Sequence, residues 1–288
     1  MNAAPFSYPF DRQWSITAAA QLACVLEATA PKVGNVHPGA AFADMKYGDF
    51  LKSASAIGPV FAKVSGLSVG ELVLEGVVAT RANVGINTNL GTLLLLAPLA
   101  KAWTLRTSLA DLHAAIQVVL SGLTHNDSKA IYEAIRIAKP GGLGESSQHD
   151  VHAEAPVDLL VAMRHAAATD AVAAQYANGF ADLFERLVPW FDEAQSPGVD
   201  VFEATCLVQV RWLAEECDGL IFRKCGPQIA TEVQSLARRV VEAEEVDCRR
   251  ARMCELDDYL RSDGHRRNPG TTADLIAATL FVKLLCSM

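Results

Sequence analysis

At 288 residues, 51% of them hydrophobic, the chain holds enough apolar material for one large core or two modest ones. A net charge of -8 and a pI near 5.4 speak against a general nucleic-acid binder, which is normally basic. They leave room for a small anionic ligand met by locally placed cations.

The first thirteen residues read as a loose tail. Ile16, Ala19, Leu22, Val25, Leu26 and Thr29 then recur at helical spacing from about Trp14 to Ala30, and Pro31 ends that helix. Glu27 falls in its last turn, either as a solvated helix residue or as a carboxylate delivered to the loop beside it. That loop, Pro31-Lys32-Val33-Gly34-Asn35-Val36-His37-Pro38-Gly39, cannot be helix, because two prolines and two glycines break the pattern. It reads as a rigid, polar loop at the mouth of a helical pocket, with His37 either a ligand contact or a hydrogen-bonder within the loop.

Asp44-Met45-Lys46-Tyr47 leads into a helix over about 47–63. Ser68 with Glu71 has capping-box form and opens a helix to about Ala82. The next begins near Thr88 and runs through the leucine-rich stretch. Its richest apolar run, Leu93 to Ala100, is interrupted by Pro98 and is too short for a membrane span. Ser108 and Asp111 make a similar cap for a helix to about Leu120, and Asn126-Asp127-Ser128 opens another that Pro140-Gly141-Gly142 stops. A polar link over 145–156, the best candidate seam, precedes helices at about 157–168, 170–188, 199–222, 227–246 and 249–262. Thr271-Thr272-Ala273-Asp274 is expected to cap the last, to about Cys286. Period-2 alternation is almost absent. The expectation is therefore an all-α fold, a compact bundle of about ten to twelve helices, in one domain over residues 14–288.

Two helices start from polar, glycine-bearing turns: Asn87-Thr88-Asn89-Leu90-Gly91 and Asn268-Pro269-Gly270-Thr271-Thr272. A helix N-terminus offers free N–H groups and the positive end of the dipole, which suit phosphate oxygens; Thr and Asn cap ligand-free helices equally well. With Lys32, Arg266 and Arg267 nearby in sequence the turns suggest a polyphosphate pocket. Arg249, Arg250 and Arg252 read as a solvated helix face. Magnesium takes one or two carboxylates plus phosphate oxygens, a role that suits Asp127 and Asp150, although Asp127 is also a good cap and Asp274 fits a capping box. No zinc pattern or serine elbow is present. Seven cysteines with no Cys-x-x-Cys pair and no signal peptide to read favour reduced thiols and a cytoplasmic protein.

These motifs, taken together, resemble the triphosphoribosyl-dephospho-coenzyme A synthase family. The likeness rests on Pro31-Lys32 with Gly34-Asn35-Val36, Asp44-Met45 with Phe50 and Ser53, and Gly85-Ile86-Asn87-Thr88. Gly91, Gly142-Leu143-Gly144-Glu145 and Asn268 through Leu275 complete it, in the expected order over roughly residues 15–285. The resemblance implies an all-helical transferase that joins ATP to 3′-dephospho-coenzyme A. The ribose 2′-hydroxyl of the acceptor attacks C1 of the ATP ribose and adenine leaves. It assigns Lys32, Asn87, Thr88, Gly270 and Thr271 to phosphate, with Asn35, His37, Gly91 and Asn268 alongside. Asp127 or Asp150 would hold Mg2+, and Glu27, Asp44 or Glu145 would serve the ribose or the proton. Typical members have His-Lys-Gly where this chain has Asn89-Leu90-Gly91, and Arg-Gly-Glu where it has Leu143-Gly144-Glu145. Two cations are thus absent, so either Arg266 and Arg267 replace them or the substrate differs. The implied partners are ATP and a dephospho-CoA-like acceptor, with no nucleic acid, no membrane and a homodimer in view. The alternatives are a related transferase acting on a pterin-type one-carbon coenzyme, and a non-catalytic helical nucleotide-binding module.

Overall fold

Leu93, Leu95, Leu96 and Leu99 are wholly shielded from solvent, and the helix that bears them is apolar on every side, as a central helix must be. The structure, a computed structural model, describes residues 9–106, 111–142, 150–196 and 198–287. Among the described residues there are fourteen α-helices and no strand.

The central helix is α4 (Leu90–Leu105), and α14 (Gly270–Cys286) packs against it. Around this pair lie α1 (Ile16–Thr29), α2 (Tyr47–Phe61), α3 (Val69–Val84), α5 (Leu112–Ser121) and α6 (His125–Ala138). The short helices α7 (Leu159–Ala166), α8 (Ala171–Asn178) and α9 (Val188–Ala194) close the other flank. A second apolar cluster is built by α10 (Val201–Glu215), α11 (Gly219–Cys225), α12 (Pro227–Val241) and α13 (Val246–Arg261). α10 serves both cores, with Val208 and Trp212 facing the first and Val210 and Leu213 the second. No described helix is long and apolar enough to cross a membrane.

Helices outnumber the sequence expectation because two long runs are cut. Residues 170–188 break where Gly179 takes φ 69° and Phe180 takes φ 64°, left-handed backbone that ends a helix. The chain restarts with a π turn, Leu183–Leu187, in which the Val188 N–H reaches back to Leu183 O just ahead of Pro189. Residues 199–222 break at Asp218, whose Oδ1 accepts the Leu220 and Ile221 amides at 2.9 and 3.1 Å and so starts α11.

Among the described residues Pro59 and Pro98 lie well inside α2 and α4, and each leaves a carbonyl four residues back without its usual partner. Pro98 orphans Leu94 O, and the Tyr176 hydroxyl donates to it at 2.6 Å. Pro59 orphans Ser55 O, and Gln21 Nε2 donates to it at 3.3 Å. Side chains from α8 and α1 thus take over what the two helix backbones lost.

Candidate active site

A cavity of about 750 Å³ opens beside the first core. Its walls come from the end of α1, the loop after it, the N-termini of α4 and α14, the C-termini of α6 and α11, and the α7–α8 pair. Leu94, Ile131, Met163 and Val172 make part of the lining apolar.

The loop after α1 is fixed from both sides. Gln209 of α10 accepts the Val33 N–H at 3.0 Å and donates to Val33 O and Asn35 Oδ1 at 2.9 and 2.8 Å. Asp257 of α13 accepts the Gly34 N–H at 2.7 Å and pairs with Arg261, whose guanidinium donates to Asn35 O. Lys32 is wholly buried: its ammonium lies 2.8 Å from Glu27 Oε1 and donates to Glu27 O as well. The ammonium therefore does not line the cavity, whereas the carboxylate it holds does. Asn35 lines the cavity. His37 does not; its Nδ1 accepts the Gly39 N–H at 3.1 Å, and burial with the nearby Arg261 lowers its pKa.

Both polar turns face the cavity, so Asn87, Thr88, Gly91, Asn268, Gly270 and Thr271 are brought together there. Asn87 Oδ1 accepts the Leu90 N–H at 3.1 Å and starts α4, while Thr88 Oγ1 lies 2.5 Å from Ser53 Oγ. α14 begins at Gly270, and its first turn is capped from another helix: the Thr272 N–H and hydroxyl both donate to Asp218 Oδ2 at 2.7 Å. Asp218 thereby joins the N-termini of α11 and α14, and burial raises its pKa against these donors. The expected cap within residues 271–274 is not what forms, and this frees the Asp274 carboxyl. Asp274 lines the cavity, accepts the Thr92 hydroxyl at 2.7 Å, and rests so close over Gly91 that a Cβ there would overlap Oδ2. Asn268 Oδ1 is buried with no protein partner.

The cations on the cavity wall are not those the sequence suggested. Arg81 in the last turn of α3, Lys139 at the end of α6, and Arg223 with Lys224 in the last turn of α11 line it, as do His165 and His265. Burial lowers the pKa of Lys224, and Arg223 pairs with Asp170. Arg266 and Arg267 turn elsewhere: Arg266 pairs with Asp263 and donates to Lys224 O, and Arg267 stacks on Tyr259. No motif marks the lining cations in sequence, because basic residues in last helical turns ordinarily complement the dipole.

Asp44 lines the cavity from its exposed rim, with His265 Nδ1 3.0 Å from Oδ1. Asp150 also lines it. Asp127 does not. Its Oδ1 accepts the Gly70 N–H at 2.8 Å and its Oδ2 accepts the Thr124 N–H and hydroxyl at 2.9 and 2.7 Å, which ties α3 to α6. Burial works to raise its pKa, but these donors outweigh it and hold the carboxylate low. Glu145 lies outside the described residues. Among the described residues no three His, Cys, Asp or Glu side chains gather as a metal cluster.

Residues 13–288 match the model of the family described as ATP:dephospho-CoA triphosphoribosyl transferase. A crystal structure from Archaeoglobus fulgidus, described as a candidate triphosphoribosyl-dephospho-CoA synthase, is similar over 82% of this chain and 98% of that one, at 26% identity and a TM-score of 0.63. No curated protein matches the chain significantly.

Proposed function

The chain belongs to the ATP:dephospho-CoA triphosphoribosyl transferase family, and from this premise we propose how its cavity divides the work of transfer. The reaction moves a triphosphoribosyl group from ATP to the ribose 2′-hydroxyl of 3′-dephospho-CoA and releases adenine. Such a reaction needs a grip on three phosphates, a carboxylate near the sugar carbon as it turns cationic, and proton transfer to the departing base.

Convergence of three separated turns, 31–36, 85–91 and 268–274, on one cavity is the observation that supports this division. The N-terminal turns of α4 and α14 present amides, with Thr88, Asn268 and Thr271 beside them, to the phosphates. Arg81, Lys139 and Lys224 supply the charge that the family's missing His-Lys and Arg would give. Lys32 positions Glu27 instead of touching phosphate. Glu27 faces the ribose from the cavity wall, and Asp44 with His265 shapes the rim where the acceptor enters. The cavity's scattered carboxylates fit magnesium held through one protein oxygen and substrate phosphates. Asp150 is the residue that would hold it, and the ion would neutralise triphosphate charge. Asp127, with both oxygens committed to helix caps, does not fit that role.

The test is an adenine-release assay with ATP, magnesium and a panel of acceptors. Adenine appears with 3′-dephospho-CoA, and ATP alone raises the melting temperature. Release only with a different acceptor would reassign the substrate. No release with any acceptor would sink the transfer reading.

A further inference from the structure

Asp274 sits in the second turn of α14, too far along to cap a helix that starts at Gly270, and Asp218 takes the Thr272 amide of the first turn. It lines the cavity together with Glu27, accepts one hydroxyl from Thr92, and lies over Gly91, which has no side chain to displace it. The groups that bear on it from neighbouring elements are Glu27 and Cys24 on α1, Asp170 ahead of α8 and Asp218 ahead of α11. Two cations beside these acids are paired with them, Lys32 with Glu27 and Arg223 with Asp170, while Lys224 lies near Asp218. Burial, and then the negative neighbours, push the Asp274 pKa up to about 8 against the Thr92 hydrogen bond. At neutral pH one carboxyl of the wall therefore keeps its proton, while its neighbour is ion-paired with a lysine. Two carboxyls whose environments differ in this way suit donor and acceptor roles in one reaction.

We propose that Asp274 is the general acid of the transfer, giving its proton to adenine as the C1′–N9 bond breaks, while Glu27 takes the proton of the attacking 2′-hydroxyl. This rests on the transfer reading above. The electron pair of the broken bond leaves with adenine, and a lone pair of the 2′-oxygen forms the new bond to C1′. The two protons move in opposite senses, so charge balances, and exchange with water after product release restores both groups.

The test compares ATP with a ribose 5-triphosphate bearing 4-nitrophenolate, a leaving group that needs no proton. Asp274→Asn should release adenine from ATP about 10²–10⁴-fold more slowly, yet stay within a few-fold of wild type on the nitrophenyl substrate. The wild-type kcat/KM should fall on an alkaline limb near pH 8. Thr92→Val should move that limb to higher pH, since losing a donor weakens the ionised carboxylate. Equal slowing of Asp274→Asn on both substrates overturns the assignment, as does a limb that Thr92→Val leaves in place. Should the Asn variant fail to fold, the Thr92→Val profile decides. A wild type that releases no adenine at all overturns the transfer reading itself.

Discussion

Lys32 looks in sequence like a phosphate ligand, a cation in a glycine-bearing loop. Its neighbours give it another task, because a wholly buried ammonium 2.8 Å from a carboxylate is stable only while that carboxylate is there. Lys32→Met leaves Glu27 without its partner, and the urea midpoint should report a loss of about 3–5 kcal/mol. A change confined to ATP affinity, with stability untouched, would return Lys32 to the phosphates. Asp274 carries a stability consequence of its own. Its folded pKa, about 8, exceeds the unfolded 3.8, so between those values the folded protein binds a proton that the unfolded chain has lost. Stability from this group is complete below about pH 4 and declines as pH rises toward 8. Urea midpoints measured from pH 5 to pH 8 should fall less steeply in Asp274→Asn than in wild type; parallel slopes would refute the shift.

The two proline-bearing helices show how one element repairs another. Tyr176→Phe removes the donor to Leu94 O and leaves a buried carbonyl unpaired, at a cost of about 1–3 kcal/mol. Adding Pro98→Ala restores a backbone N–H at that position, so the tyrosine change should cost less in that background, a coupling that a double-mutant cycle measures directly. Helix identity was legible from periodicity and from caps such as Ser68 with Glu71, which forms as read. The breaks at Gly179 and Asp218 were not. Gly179 lies in an apolar run that continues helical spacing on either side. Asp218 announces a cap only once its partner amides on α11 and α14 are seen side by side.

For the molecule as a whole, the sequence located the turns of the cavity but not its charge. Turns 31–36, 85–91 and 268–274 stand out because glycine, proline and asparagine interrupt apolar helices, and their convergence follows from the way α1, α4 and α14 pack. Arg81, Lys139 and Lys224 sit on the ends of helices whose meeting is a matter of tertiary packing, so no local pattern could single them out. Asp274 was visible as an acid in a polar turn, and only the long-range hydrogen bond of Asp218 shows that it is free for something else. That bond has a wider consequence. α11 carries Lys224 in its last turn and α14 carries Asp274 in its second, so a single buried carboxylate joins the helix that brings a cation to the cavity wall to the helix that brings an acid. On the roles proposed above, a change at Asp218 should disturb both helix starts at once, and ATP affinity and adenine release should then shift together.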